Sequence, residues 1–307
     1  MVKYGLEAAI IRDPVNIRYA TGTRNMAIRS IMFELTGCPH LAQGYEAVDE
    51  VCTAKSVTFT SSGPKIHDKE SKWAQEMAHL IESLVGNRSA TVDLEHINAN
   101  VAIALQELGL NIVDAQRAIE MARTIKSPEE VKYIVASLRA TEVAVGKLRD
   151  AINRDYIETR LLSTVPRTSP WFQESASYVI QKNDLVALDT DSLDPPTEQQ
   201  KELYRTALAQ LNHDMSILRP GLTFSEYADL AWDVPEQYWA NRYFVSAHVY
   251  GLTGQCRVIE SGMALYFKSY IDKEGDTQGV KLEQQVLITE TEIQVLSKFP
   301  SERAMLK

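Results

Sequence analysis

Clustered positive charge is what this chain lacks most plainly. Its 32 Lys and Arg are outnumbered by 41 Asp and Glu, giving a formal charge of −9 with no basic stripe. Nucleic-acid binders need grouped cations to displace phosphate counterions, so that class is excluded. Cysteine is scarce too. The three present, Cys38, Cys52 and Cys256, are odd in number and fit no zinc or redox spacing. Such sparse usage suits a reducing compartment. No stretch approaches the ~20 apolar residues of a membrane span, and the opening MVKYGLEAAIIRDP has no apolar signal core. The expectation is a cytoplasmic protein with neither a membrane nor a nucleic-acid partner. Internal repeats and low-complexity tracts are absent as well.

What remains is an ordinary globular composition. Apolar residues make up 45% and charged residues 24% of 307 positions, enough for two domains with real cores. The first part alternates strand and helix signals. Leu6 to Ile11 and Ile31 to Leu35 are strand candidates, and Asp13-Pro14 ends the first of them. From Ser71 to Val85, Trp73, Met77, Leu80, Ile81 and Leu84 recur at helical spacing. Short strands at Ala90–Val92 and Asn111–Val113 flank a helix at Asn98–Leu108. The pattern predicts an α/β layer domain over residues 1–126.

Ser127-Pro128-Glu129-Glu130 then combines an N-cap serine, a proline at the first helical position and a glutamate at N3. We place the start of a second domain there, 127–307. Its first helix carries Val131, Ile134, Val135, Leu138, Val145, Leu148 and Ile152 on one face. An apolar run from Leu185 to Leu188 predicts a buried strand. Thr197 and Gln200 form a capping box for a helix reaching Leu218, with Leu203, Ala207, Leu211, Met215 and Leu218 in one stripe. Arg219-Pro220-Gly221 stops it. Thr223 and Glu226 open another helix that ends before Pro235. Met263–Ile271 and Val280–Thr289 are predicted strands.

The sharpest chemical signal is Asp189-Thr190-Asp191, at the end of the apolar strand. On one strand, residues two apart share a face, so the two carboxylates can converge on a cation, or one must hold a proton. His248 lies in apolar company, and Glu283 sits within the last strand. Each has an ordinary structural reading alone: a solvated strand end, a core imidazole, a solvated face.

Taken in order, D-x-D, then His, then a Glu in the terminal strand, the set resembles the creatinase/prolidase/methionine-aminopeptidase (pita-bread) superfamily. Longer blocks resemble its DddP-type dimethylsulfoniopropionate (DMSP) lyase branch: NIRYATGTRNM (16–26), FELTGCPHL (33–41), ARTIKSPEE (122–130), YIETRLLSTVPRTSPWFQE (156–174), LVALDTD (185–191), PEQYWANRY (235–243) and GVKLEQQVLITE (279–290). The resemblance implies an α+β fold, with an incomplete C-terminal pita-bread domain behind a creatinase-like N-terminal α/β domain. It also implies a homodimer, a small-molecule substrate, and a divalent metal (iron, manganese or zinc) on Asp189, Asp191, His248 and Glu283.

Four departures from the family pattern matter. The hairpin that supplies a third aspartate is missing, because Asp191 runs through Ser192-Leu193-Asp194-Pro195-Pro196 directly into the Thr197 helix, and Asp194 is held by prolines unsuited to strand pairing. Lys268 stands where relatives carry a ligating glutamate. Gly254 stands where the lyase branch carries its proposed base, so no catalytic residue is assigned. Sequence is also short between Met26 and Phe33 and between Ile152 and Tyr156, which reads either as an incomplete gene model or as real divergence. The hypothesis is that Lys268 pairs with the carboxylates at the expense of the metal.

Three functions follow. The first is a DMSP-lyase relative with a degraded metal site, in which Tyr243, Trp171 and Trp239 offer aromatic faces to a sulfonium. The second is an Xaa-Pro peptidase-like metallohydrolase. The third is a non-catalytic binding or dimer module of the same fold.

Overall fold

The computed structural model describes the chain apart from residues 23–46, 48, 51–53, 56, 115, 152–162, 165–167, 170–176, 180, 182–183, 188–190, 193–195, 243–246, 250–257, 302 and 307. The predicted strand at Ile31–Leu35 and all three cysteines lie outside the described residues. The chain divides into two compact units, Met1–Ala122 and Arg123–Lys307.

The first unit is built on a parallel sheet of β1 (Ala8–Ile10), β2 (Thr91–Leu94) and β3 (Asn111–Asp114), in that order. Parallel neighbours need crossovers, and helices provide them. Asp13-Pro14 does more than end β1. Asp13 accepts hydrogen bonds from the amides of Val15 and Asn16 and caps α1 (Pro14–Thr21), with the proline in its first turn where its missing N–H costs nothing. Helix α2 (Ile66–Val85) starts five residues before the predicted point, carried in by a 3-10 turn at Gly63–Lys65. Trp73, Ala74 and Ile81 on α2 and Val101 and Leu105 on α3 (Ala99–Glu107) close the core over Val92 and Leu94. Helix α4 (Gln116–Thr124) follows β3.

The second unit begins with α5 (Pro128–Ala151). Its box forms as expected: Ser127 Oγ accepts from the Glu130 amide at 3.2 Å, and Glu130 Oε2 accepts from the Ser127 amide at 2.8 Å. The predicted apolar face is correct in register, but it is only half-buried, and none of the helix's residues is fully buried among those described.

A three-stranded antiparallel sheet joins β4 (Ser163–Thr164), β5 (Leu185–Ala187) and β6 (Asp191–Ser192) in the order β4-β5-β6. This corrects the reading of Asp189-Thr190-Asp191 as the end of one strand. Asp191 lies on β6, antiparallel to β5, its backbone opposite Val186. Asp189, the other carboxylate of that argument, lies outside the described residues.

The centre of the unit is a second antiparallel sheet, order β10-β9-β8-β7: β7 (Ala247–Val249), β8 (Ala264–Ile271), β9 (Val280–Ile288) and β10 (Ile293–Val295). Helix α6 (Glu198–Ser216) lies across one face, starting from the Thr197–Gln200 capping box. Leu203, Ala207 and Leu211 from α6 meet Leu265, Phe267, Ile271, Leu282 and Val286 in the core. Phe267 is fully buried, edge-on to Tyr227 at 6.1 Å between ring centres. Burial of such a ring contributes roughly 1.5–3 kcal/mol. Tyr227 sits on α7 (Phe224–Leu230), capped by Thr223 and Glu226 as expected.

Candidate functional site

Strands β8 and β9 have a second face, and it is polar. Alternation sends Leu265, Phe267 and Ile271 toward α6, with Ser269 Oγ donating to Gln210 of that helix at 2.7 Å. Tyr266, Lys268 and Tyr270 then share the other side. Register sets them directly opposite Gln285, Glu283 and Lys281. Three cross-strand rows result.

In the first row, Gln285 Nε2 donates to Tyr266 Oη at 3.2 Å. In the second, Lys268 Nζ stands 3.3 Å from Glu283 Oε1. Lys281, from the third row, also reaches Glu283 Oε1. One carboxylate thus takes two ammoniums, on a face where the Lys281 side chain is 9% exposed, Lys268 18% and Glu283 23%.

Beside these rows lies a buried carboxyl that the sequence did not mark. Asp272 follows β8 and is fully buried. Asn241 Nδ2 donates to Asp272 Oδ2 at 2.8 Å, while Ser169 Oγ is 2.8 Å from each carboxyl oxygen. Tyr270 Oη lies 2.8 Å from Asp272 Oδ2 and 2.7 Å from the Thr168 carbonyl. Burial pushes the Asp272 carboxyl above the usual carboxylate range, opposed by the bonds from Ser169, Tyr270 and Asn241. Gly279 closes this cradle. A Cβ there would sit 2.5 Å from Tyr270 Oη and 2.8 Å from the Thr168 carbonyl.

Of the residues nominated from sequence, Glu283 and Lys268 come together. His248 falls on β7 with its backbone opposite Tyr266, and Asp191 on β6; their side chains lie outside the described residues, as do Asp189, Tyr243, Trp171, Asp194 and Gly254 altogether. Trp239 is half-exposed. Its indole N–H donates to the Val234 carbonyl at 2.5 Å, and the Arg242 guanidinium lies 5.0 Å from the ring centre. A cation of the chain itself thus already stacks on this ring. Sequence reasoning missed Tyr266, Tyr270, Lys281, Gln285 and Asp272. The available signal was the period of two, which puts Lys281 and Gln285 on the face of Glu283.

A divalent metal at Glu283 would have to share the carboxylate with both lysines. Among the described residues, no group of three or more His, Cys, Asp or Glu side chains could hold an ion. The carboxylate that would serve faces two ammoniums, and a dication beside it would meet their repulsion over a few Å in a half-buried place. The described part of the site does not fit the metal.

Comparison with known proteins supports the same architecture. Residues 1–125 match the creatinase/prolidase N-terminal domain. The dimethylsulfoniopropionate lyase DddP of Roseobacter denitrificans is 25% identical over 380 aligned positions, covering 100% of this chain and 85% of that one. An Xaa-Pro dipeptidase from Pyrococcus furiosus is 27% identical over 154 residues, 41% of this chain and 43% of its own. Among solved structures, the prolidase from Pyrococcus furiosus superposes with a TM-score of 0.69 at 16% identity, over 99% of each chain. The fold is that of the creatinase/prolidase superfamily, a creatinase N-terminal domain followed by an incomplete pita-bread domain. Its similarity to the DddP lyase runs along its whole length. The 380 aligned positions exceed its 307 residues, so the lyase carries residues with no counterpart here. No helix among the described residues is long and apolar enough to cross a membrane.

Proposed function

We propose that this chain is a DMSP-lyase-type relative in which an ion-pair cluster has taken the place of the metal, and lyase chemistry has gone with it. The observation that carries the reading is Lys268 Nζ at 3.3 Å from Glu283 Oε1, directly across the β8–β9 ladder. In relatives of this kind a bound metal would polarise the substrate carboxylate and stabilise developing charge. Here Glu283 is committed to Lys268 and Lys281. What is retained is the scaffold: a polar sheet face, backed by the α6 core, on which a small molecule can be held.

Two measurements test this. Elemental analysis of purified protein is expected to show metal well below one ion per chain, and headspace analysis no dimethyl sulfide from DMSP above the blank. The Lys268→Glu variant is expected to gain metal. Stoichiometric divalent metal in the unmodified protein, or released dimethyl sulfide, overturns the reading. The relative's extra aligned residues favour a second one, an active longer parent. Transcript sequencing that restores a hairpin after Asp191 would establish it.

A further inference from the structure

We infer that the open edge of β10 and the last turn of α6 form a docking groove for an extended segment of a partner protein, in which apolar residues are flanked by basic ones. Neither wall includes Glu283 or its lysines, so the groove does not depend on the metal site. The β10 backbone has two sides. The Glu292 carbonyl accepts from the Thr289 amide at 2.9 Å, and the Leu296 amide donates to the Gln285 carbonyl at 2.8 Å. Those bonds point toward β9. Direction alternates along an antiparallel ladder, so Ile293 and Val295 turn their N–H and C=O groups the other way. Among the described residues, no strand lies beyond β10. An added strand would find two donor–acceptor couples there, at strand spacing.

The end of α6 supplies the other wall. Met215, Ser216 and Leu218 face Glu292, Ile293 and Val295 across a cleft of about 400 Å³. Ligand sites run from ~300 to 1,000 Å³, so this one suits the side chains of a strand and not a folded body. Its floor is apolar. Leu218 is buried, Met215 and Ile293 pack on the α6 core, and Val295 stays 46% exposed. A strand laid along β10 would send alternate side chains toward that floor. Charge selects the occupant. Glu292 is the one charged residue lining the cleft among those described, and Glu290 stands beside it in the same exposed turn. Helix α6 ends at the cleft, so the partial negative charge of its last carbonyls adds to theirs. His213, in that last turn, is directed elsewhere, with Nε2 3.2 Å from the Leu230 carbonyl. Acids and a helix C-terminus together favour Lys or Arg in the ligand and repel an acidic one.

The probe is a blocked, fluorescently labelled peptide, Lys-Val-Thr-Val-Lys, with Glu-Val-Thr-Val-Glu as its acidic counterpart. Fluorescence anisotropy against the full chain is expected to show saturable binding of the first and none of the second. Val295→Pro removes an outward N–H and leaves the ladder bonds to β9 in place. It is expected to weaken binding about tenfold, the value of one hydrogen bond. Glu292→Lys is expected to reverse the preference between the two peptides. Thermal melts establish that each variant is folded; should Val295→Pro not fold, Met215→Trp, which fills the cleft, takes its place. No saturable binding of the lysine peptide, or binding that these changes leave unaltered, overturns the inference. So does an oligomer seen by light scattering that Val295→Pro disperses, since the groove would then belong to a second copy of the chain.

Discussion

Asp93, on the central strand of the parallel sheet, and Glu283, on a central strand of the antiparallel one, are acids in comparable places with opposite surroundings. Asp93 is 1% exposed, and neither carboxylate oxygen has a hydrogen-bond partner among the described residues. Burial pushes its carboxyl up to about 6, helped by the charges of Asp114 and Glu95 and opposed by the N-terminal ammonium. Glu283 has two ammoniums, and Asp272, close to it on the same hairpin, has three donors. Even within the first sheet the contrast holds. Glu95, two residues from Asp93, accepts from the Arg12 and Asp13 amides at 2.9 and 2.8 Å and from the Asn16 side chain. Acids that brace a loop or a cross-strand pair are satisfied; Asp93 bears its burial alone.

The largest expected effect comes from breaking the paired side of this comparison. Glu283→Gln removes the carboxylate that Lys268 and Lys281 both reach and should lower stability by about 3 kcal/mol in urea unfolding. Next, Gly279→Ala forces a Cβ against Tyr270 Oη and the Thr168 carbonyl. Overpacking of this kind costs about 2 kcal/mol, and the same melts would show it.

Asp93→Asn works in the other direction. An acid whose folded pKa is raised contributes stability that is fully present below its unfolded value and lost as pH rises through about 6. At pH 7 the wild-type carboxylate is therefore a burden, and the amide should gain about 1–2 kcal/mol, the lower figure reflecting its own unmet hydrogen bonds. The gain should vanish by pH 4. A gain of equal size at both pH values would show that charge is not the cause. Smallest of all, Thr197→Ala removes an end cap and should cost about 1 kcal/mol, independent of pH.

Local features were legible in the sequence because their partners are a few residues away. Ser127–Glu130, Thr197–Gln200 and Thr223–Glu226 all form the boxes their spacing announces. β8 and β9 were legible too, since a long strand declares itself by composition. Asp13-Pro14 was read as a terminator and is also a helix start, because both uses follow from the same fixed φ. Asp191 was misplaced because an apolar run does not reveal where it turns back. The site was half legible. Lys268 and Glu283 stand 15 residues apart in sequence, and only the register of the ladder makes them neighbours. Asp272 was out of reach, since its partners Ser169 and Asn241 come from segments 103 and 31 residues distant.

The Lys268–Glu283 pairing also shapes which sequences are reachable from this one. A single change of Lys268 to an acid would set two carboxylates face to face across the ladder, sharing Lys281. Such a chain would be poorly folded unless a cation were already at hand. The reverse step, from acid to lysine, relieves repulsion as soon as it occurs. Descent through this position therefore runs easily from acid to lysine and only with difficulty back. Descendants that change Glu283 would be expected to change Lys268 or Lys281 alongside it.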